Sequence, residues 1–226
     1  MTQPVSQYLS IAVIGGTGPQ GKGLALRFAR AGHGVTLGSR DAGRAKEAAD
    51  EVNAHRGDSG TALTGASNED AAAGADVVLL AVPWNGHAEL VASLADRLAG
   101  KIVISCVNPL GFDKGGPYGL DVEAGSAAEE LQALVPTARV VGGFHHLSAV
   151  SLWEEEGLLD HEDVLVVSDD AEAKALVLEL AASVVGRPGI DAGALRLARQ
   201  LEPLTAVLIA INKKYKVRSG VRISGV

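Results

Sequence analysis

Apolar positions fall along this chain in two rhythms. Short unbroken apolar runs, Ile11-Ala12-Val13-Ile14, Asp76 to Val82 and Ile102-Val103-Ile104-Ser105, read as strands. A continuous apolar run is what a parallel strand needs when both faces of its sheet are covered. Between these runs, apolar residues recur at three- or four-residue spacing and predict helices over Gln20–Ala31, Ala42–Ala54 and His87–Leu98. Asp41 is placed to cap the second of them. Gly34–Gly38 reads as a second strand, Thr61–Thr64 as a short third one and Asn68–Ala73 as a helical turn. Pro83 ends the 76–82 run, and a helix over Ala127–Leu134 leads to a strand over Arg139–Gly142. Strand and helix alternating over short links imply a parallel sheet with right-handed crossovers. The fold class is therefore α/β, a Rossmann-type doubly wound, mainly parallel sheet.

The segment Pro109–Gly125 is rich in Gly, Pro and Asp and too long for a plain turn, which marks it as a functional or mobile loop. Beyond Val150 the pattern changes to strands over Asp163–Val167 and Arg187–Ile190 and helices over Ala171–Val185 and Ala194–Ile211. Leu197, Leu201, Leu204, Leu208 and Ile211 stripe the last helix, and Pro203 should kink it. Residues 1–150 are thus expected to form the Rossmann domain and 151–226 a smaller C-terminal α/β domain.

Composition narrows the partners. With 226 residues, 47% of them hydrophobic and 21% charged, the chain suits a globular protein with a sizeable core. A net charge of −7 argues against nucleic acid or an anionic membrane surface as partner. The single cysteine, Cys106, excludes an intrachain disulfide and a cysteine metal cluster. Met1–Gln7 is polar and no run approaches a membrane span, so a cytoplasmic location is expected.

The chemistry concentrates in Gly15-Gly16-Thr17-Gly18-Pro19-Gln20-Gly21. Gly16, Gly18 and Gly21 make G-x-G-x-x-G between a strand and a helix, the arrangement that binds a dinucleotide. The first glycine allows the tight turn, the second lets backbone approach a pyrophosphate, and the third lets helix and strand pack closely. The helix N-terminus then presents unpaired N–H groups to the phosphates. At the end of the second strand, where an acid would hold a ribose 2′-hydroxyl, the chain has Ser39-Arg40, with Arg44 one helical turn on. A hydroxyl and two guanidiniums suit a 2′-phosphate, which points to NADP(H). The competing reading leaves both arginines as solvated charges and gives the ribose to Asp41.

Together with this loop, Gly-Ser-Arg (38–40), Asn-Glu-Asp-Ala-Ala (68–72), Val-Pro-Trp (82–84), Lys-Ile-Val-Ile-Ser (101–105) and Leu-Glu-Pro-Leu-Thr (201–205) resemble the NADPH:coenzyme F420 oxidoreductases. The resemblance implies hydride exchange between NADP(H) and the deazaflavin coenzyme F420, in a homodimer. By position it implies pyrophosphate contacts at Thr17, Gly18, Pro19 and Gln20, and 2′-phosphate contacts at Ser39, Arg40 and Arg44. Nicotinamide-side contacts map to Val82, Gly86, Asn108 and Ala149. Gly143–Ser148 corresponds to the deazaflavin side, with His145 on the family histidine, while His146 and Ser148 depart from the family's smaller or proline-type residues.

Hydride transfer between two flat rings needs donor and acceptor carbons about 3–3.5 Å apart and no nucleophile or metal. The rings are expected over the carboxyl ends of strands 76–82 and 102–105, walled by Pro83–His87, Val107–Gly111 and Phe144–Leu147. Trp84, Pro109, His145 and Leu147 are the candidate substrate contacts. Trp84 either stacks on a ring or covers the sheet edge, and His145-His146 either meet ligand or are satisfied by backbone. The basic tail (Lys213, Lys214, Lys216, Arg218, Arg222) is either a solvated terminus or an attractor for the deazaflavin's polyglutamate. A pyrroline-5-carboxylate reductase-like enzyme and an NADP(H) redox sensor without turnover are the alternative functions.

Overall fold

The computed structural model describes residues 8–226; Met1–Gln7, whose polarity entered the expectation of a cytoplasmic location, lies outside the described residues. The first half alternates strictly: β1 (Ser10–Ile14), α1 (Pro19–Arg30), β2 (Gly34–Ser39), α2 (Ala42–Arg56), β3 (Thr64–Ser67), α3 (Asn68–Ala73) and β4 (Val77–Leu80). Next come α4 (His87–Ser93), α5 (Ala95–Leu98), β5 (Ile102–Ser105), the antiparallel hairpin β6 (Leu110–Asp113) and β7 (Gly116–Gly119), α6 (Ala127–Leu134) and β8 (Arg139–Gly142). The C-terminal third holds α7 (Ala149–Glu154), β9 (Leu165–Val166), α8 (Ala171–Leu180), α9 (Ala182–Val185), β10 (Ile190–Asp191) and α10 (Ala198–Tyr215).

Six parallel strands form the main sheet in the order β3-β2-β1-β4-β5-β8. Successive side chains of a strand point to opposite faces, so Ile11, Val13, Val77 and Leu79 pack with α1 and α2 while Ala12, Ile14, Val78 and Leu80 pack with α4 and α6. This is why the strands read as unbroken apolar runs. The chain runs β1, β2, β3 to one side and then crosses to β4 on the other, which opens a crevice at the carboxyl ends of β1 and β4.

The C-terminal third continues these cores. Val164, Val166, Val177 and Val184 join the α1 side, and Leu195 and Ala198 the α4–α6 side. The parallel pair β9–β10 meets β8 through the antiparallel bridge Gly142–Val167. Arg27 of α1, 2% exposed, donates to the carbonyls of Ser151, Leu152, Glu155 and Gly157, completing the C-terminal end of α7. Glu202 of α10 accepts the N–H groups of Ala127 and Ala128, completing the start of α6.

Several expected elements differ in extent. The third strand lies at Thr64–Ser67, not Thr61–Thr64, because its register is set by pairing with Thr36–Ser39. The helix over His87–Leu98 breaks at Leu94 (φ −103°, ψ 3°), and the one over Ala171–Val185 divides at Ala181. The loop Pro109–Gly125 contains a hairpin, with Gly119 against Pro203. Strands 163–167 and 187–190 shorten to two-residue pairings, and α10 opens with a 3-10 turn and runs helical past Pro203 to Tyr215. Helix α7 went unforeseen, since its six residues show too little periodicity to read. Among the described residues, no helix is long and apolar enough to cross a membrane.

Glu202 is 1% exposed, and burial, opposed by the two backbone N–H bonds and aided by the nearby Glu129 and Glu130, leaves its carboxyl raised to about 7. A raised folded-state value favours the fold fully below the ordinary carboxyl range and loses that contribution as pH climbs through the folded value. Thermal unfolding followed from about pH 5 to about pH 8 should therefore show a decline that Glu202→Gln flattens. An identical slope in both proteins would contradict this.

Candidate functional site

The turn between β1 and α1 is shaped by close approach. A Cβ on Gly21 would lie 2.7 Å from the Gly16 Cα, and one on Gly16 would lie 2.7 Å from the Val13 carbonyl oxygen. These two glycines hold helix and turn together. Gly18 differs: its would-be Cβ meets nothing nearer than 3.6 Å, so the backbone there faces open space. Gly18 is also the N-cap of α1, with Pro19 following and no side chain capping the helix. The first N–H groups of a twelve-residue helix are thus available to an anion.

Around this turn lies a cavity of about 810 Å³, spanning the carboxyl ends of β1, β2, β4 and β5. Thr17, Gly18, Pro19 and Gln20 line its floor, and Ser39, Arg40, Asp41, Arg44 and Asn68 one end. Among the described residues, the Arg40 and Arg44 side chains have no carboxylate partner. In contrast, Asp41 is engaged, its Oδ1 accepting the N–H groups of Gly43 and Arg44 at the start of α2. Two unpaired guanidiniums beside an uncapped helix fit a phosphorylated dinucleotide, with the second phosphate site at Ser39–Arg44. Asp41 as the ribose acceptor fits less well, because its carboxylate already serves a helix.

The other end of the cavity is formed by Val82, Gly86, Asn108, His145, His146, Leu147 and Ala149, joined by Thr205, Leu208, Ile209 and Asn212 of α10 and by Ser219. The turn after β8 is fixed from three sides. Phe144 has positive φ (64°), and its carbonyl accepts from Gln20 Nε2 at 3.3 Å. The His145 carbonyl accepts from Asn108 Nδ2 and from Thr205 Oγ1, each at 2.9 Å. With Nδ2 so committed, Asn108 keeps its buried Oδ1 as an acceptor without a protein partner. Both His145 ring nitrogens are likewise buried and unpartnered.

Burial, with His146 beside it, pushes His145 down to about 3, so its imidazole is neutral near pH 7. His146 is also lowered by burial, and its Nε2 lies 2.6 Å from the Asp163 carbonyl, so that ring is satisfied by backbone. Cys106 lines the cavity, but its thiol donates to the Leu80 carbonyl and burial pushes it up to about 12. It is not a nucleophile at neutral pH. The arrangement can hold a flat, uncharged ring between apolar side chains and neutral hydrogen-bonding groups. Among the described residues lining the cavity, the one thiol, Cys106, is not activated.

Two proposed substrate contacts stand apart from this lining. Trp84 stacks on His87 (ring centroids 5.4 Å apart, 28° between planes) and packs on the core. His87 in turn lies 2.7 Å from Glu130. Pro109 is buried, and its carbonyl accepts from Leu120, which anchors the hairpin. Sequence reading missed the α10 residues and Asn68; Thr205, Leu208 and Asn212 share three- or four-residue spacing, but of these only Leu208 belongs to the apolar stripe read from the sequence. In the basic tail, Arg218 pairs with Glu154 and Arg222 with the Asp160 carbonyl.

Residues 10–109 match the model of the coenzyme F420-dependent NADP oxidoreductases. An F420-dependent NADP reductase of Methanothermobacter thermautotrophicus is 41% identical over 96% of this chain and 95% of its own length. One from Methanocaldococcus jannaschii is 37% identical over 96% of this chain and 98% of its own. A crystal structure from Arthrobacter sp. FB24, provisionally assigned as an F420-dependent NADP-reductase, superposes with a TM-score of 0.79 at 32% identity, covering 96% of this chain and 99% of that one.

Titration with adenosine 2′,5′-bisphosphate and with 5′-AMP isolates the two guanidiniums. Arg40→Ala should weaken the bisphosphate about tenfold to a hundredfold, the worth of a charge-assisted contact, and leave 5′-AMP unchanged. Equal weakening of both ligands would mean that no second phosphate is held there.

Proposed function

The chain belongs to the coenzyme F420-dependent NADP oxidoreductases, and on that premise we propose that its one long cavity receives both reactants. The reaction is the exchange of a hydride between NADP(H) and coenzyme F420. The observation that carries the reading is the continuity of the cavity from the Ser39–Arg44 end, past the glycine turn, to the wall of the β8 turn and α10.

Thr17, Gly18, Pro19 and Gln20 bind the pyrophosphate at the start of α1, and Ser39, Arg40 and Arg44 hold the 2′-phosphate. Val82, Gly86, Asn108 and Ala149 position the nicotinamide, with Asn108 Oδ1 supplying an acceptor for its carboxamide. When bound, the nicotinamide supplies the carbon that gives or takes the hydride. His145 and Leu147, with Leu208 and Ile209, hold the deazaflavin ring against it and exclude water. A neutral His145 imidazole suits this role, since it hydrogen-bonds without adding a buried charge.

Residues 1–150 serve the nucleotide, and 151–226 close the second ring's side through α10. The working form is a homodimer in the cytoplasm. Exposed apolar side chains support the dimer: Phe112 (69%) and Tyr118 (46%) on the hairpin, and Val207 (53%) on the helix against which it packs. A pyrroline-5-carboxylate reductase-like activity and a sensor without turnover gain no support from relatives so similar along their full lengths.

Mixing the protein with NADPH and oxidised coenzyme F420 should bleach the deazaflavin's visible absorbance in proportion to NADPH consumed. Persistent colour alongside tight NADPH binding would favour the sensor.

A further inference from the structure

Asn68 stands at the end of the cavity that carries Ser39, Arg40 and Arg44, and it has no part in the reading so far. It is the first residue of α3, directly after β3, and is 4% exposed. Its Oδ1 is buried and accepts no hydrogen bond from any described residue. The helix start does not need this side chain, because Ser67 Oγ already caps the Asp70 N–H. Leaving an amide oxygen buried and unpaired is costly, and the cost persists unless a ligand supplies the donor.

Its neighbour defines which donor. A Cβ on Gly38 would lie 3.0 Å from Asn68 Oδ1, so the amide rests against the backbone of the residue preceding Ser39. The same residue's carbonyl accepts the Gly16 N–H at 3.3 Å, which ties this spot to the glycine turn. The acceptor therefore lies between the turn that takes the pyrophosphate and the side chains that take the 2′-phosphate. In an adenosine 2′-phosphate, the group between those anchors is the ribose, and its remaining donor is the 3′-hydroxyl.

We infer that Asn68 Oδ1 accepts the 3′-hydroxyl of the adenosine ribose and makes Asn68 a determinant of coenzyme preference. This rests on the NADP(H) reading of the same cavity and adds a reason for an amide here. A carboxylate would accept the same hydroxyl but would repel the neighbouring 2′-phosphate. A neutral acceptor reads the sugar without penalising the phosphorylated coenzyme. Gly38 is part of the device, since a side chain there would meet the amide.

The test is calorimetric titration of the full-length protein with NADPH, NADH, adenosine 2′,5′-bisphosphate and its 3′-deoxy analogue. The 3′-deoxy analogue should bind the unaltered protein about fivefold to tenfold more weakly than its parent, the worth of one hydrogen bond. Asn68→Ala should weaken NADPH and NADH by that same factor and abolish the discrimination against the deoxy analogue. Asn68→Asp should retain NADH and lose NADPH at least tenfold. A deoxy analogue that binds the unaltered protein as well as its parent overturns the inference, and needs no variant to fold. So does Asn68→Ala with undiminished NADPH affinity, or a loss that follows a hypoxanthine analogue instead and so assigns the amide to the base. Failure of the unaltered protein to bind NADPH at all would sink the NADP(H) reading itself, and this inference with it.

Discussion

Attraction of a polyphosphate to one positive corner is the interaction on which everything else depends. The chain carries a net charge of −7, so a nucleotide is repelled by most of its surface. It can settle only where that sign is locally reversed. The uncapped start of α1 supplies the partial positive charge of a helix end, and Arg40 and Arg44 supply two full charges with no carboxylate partner among the described residues. Several arginines elsewhere are engaged: Arg27 on carbonyls, Arg139 on Asp170, Arg187 on Asp163 and Arg199 on Glu129. Arg40 and Arg44 differ from these in lining the cavity with no carboxylate partner among the described residues.

Holding the second ring is a different problem, solved by rigid neutral groups. The turn after β8 would be costly alone, because Phe144 adopts a positive φ that its side chain disfavours. Gln20, Asn108 and Thr205 fix its carbonyls from α1, from the segment after β5 and from α10. Gln20 stands at the start of α1 beside the glycine turn, so the two ends of the cavity share a hydrogen-bonded link. Glu202, one turn before the end of this contact on α10, docks that helix on α6. The catalytic geometry thus relies on how α10 is seated, although α10 lies far along the chain from the glycine turn.

The sequence made local features legible and long-range ones opaque. Ile11–Ile14 and Ile102–Ser105 were readable because a strand covered on both faces is apolar at every position. That the α1 turn and Ser39–Arg44 line one cavity follows from residues close in sequence at the carboxyl ends of neighbouring strands. Trp84 and Pro109 lie outside the cavity lining, which adjacency to a strand end could not tell, because it does not say which way a ring turns. His87 takes Trp84 and the hairpin takes Pro109. The third strand slipped because its bounds depend on pairing with β2, and α7 was invisible because six residues show too little periodicity and its C-terminal carbonyls are completed by Arg27, over a hundred residues earlier. Asn68 appeared only as part of a matching segment; nothing local marks a buried amide oxygen as unpaired.

The central claim is that both rings meet in one water-excluding cavity. NADPH deuterated at the transferable position of its nicotinamide, mixed in ordinary water with oxidised coenzyme F420 and the protein, measures this directly. Mass spectrometry of the reduced deazaflavin should find one carbon-bound deuterium per molecule, carried across without exchange. Reduced deazaflavin free of the label would contradict the account, because the hydrogen would then have passed through solvent or another carrier instead of between two facing rings.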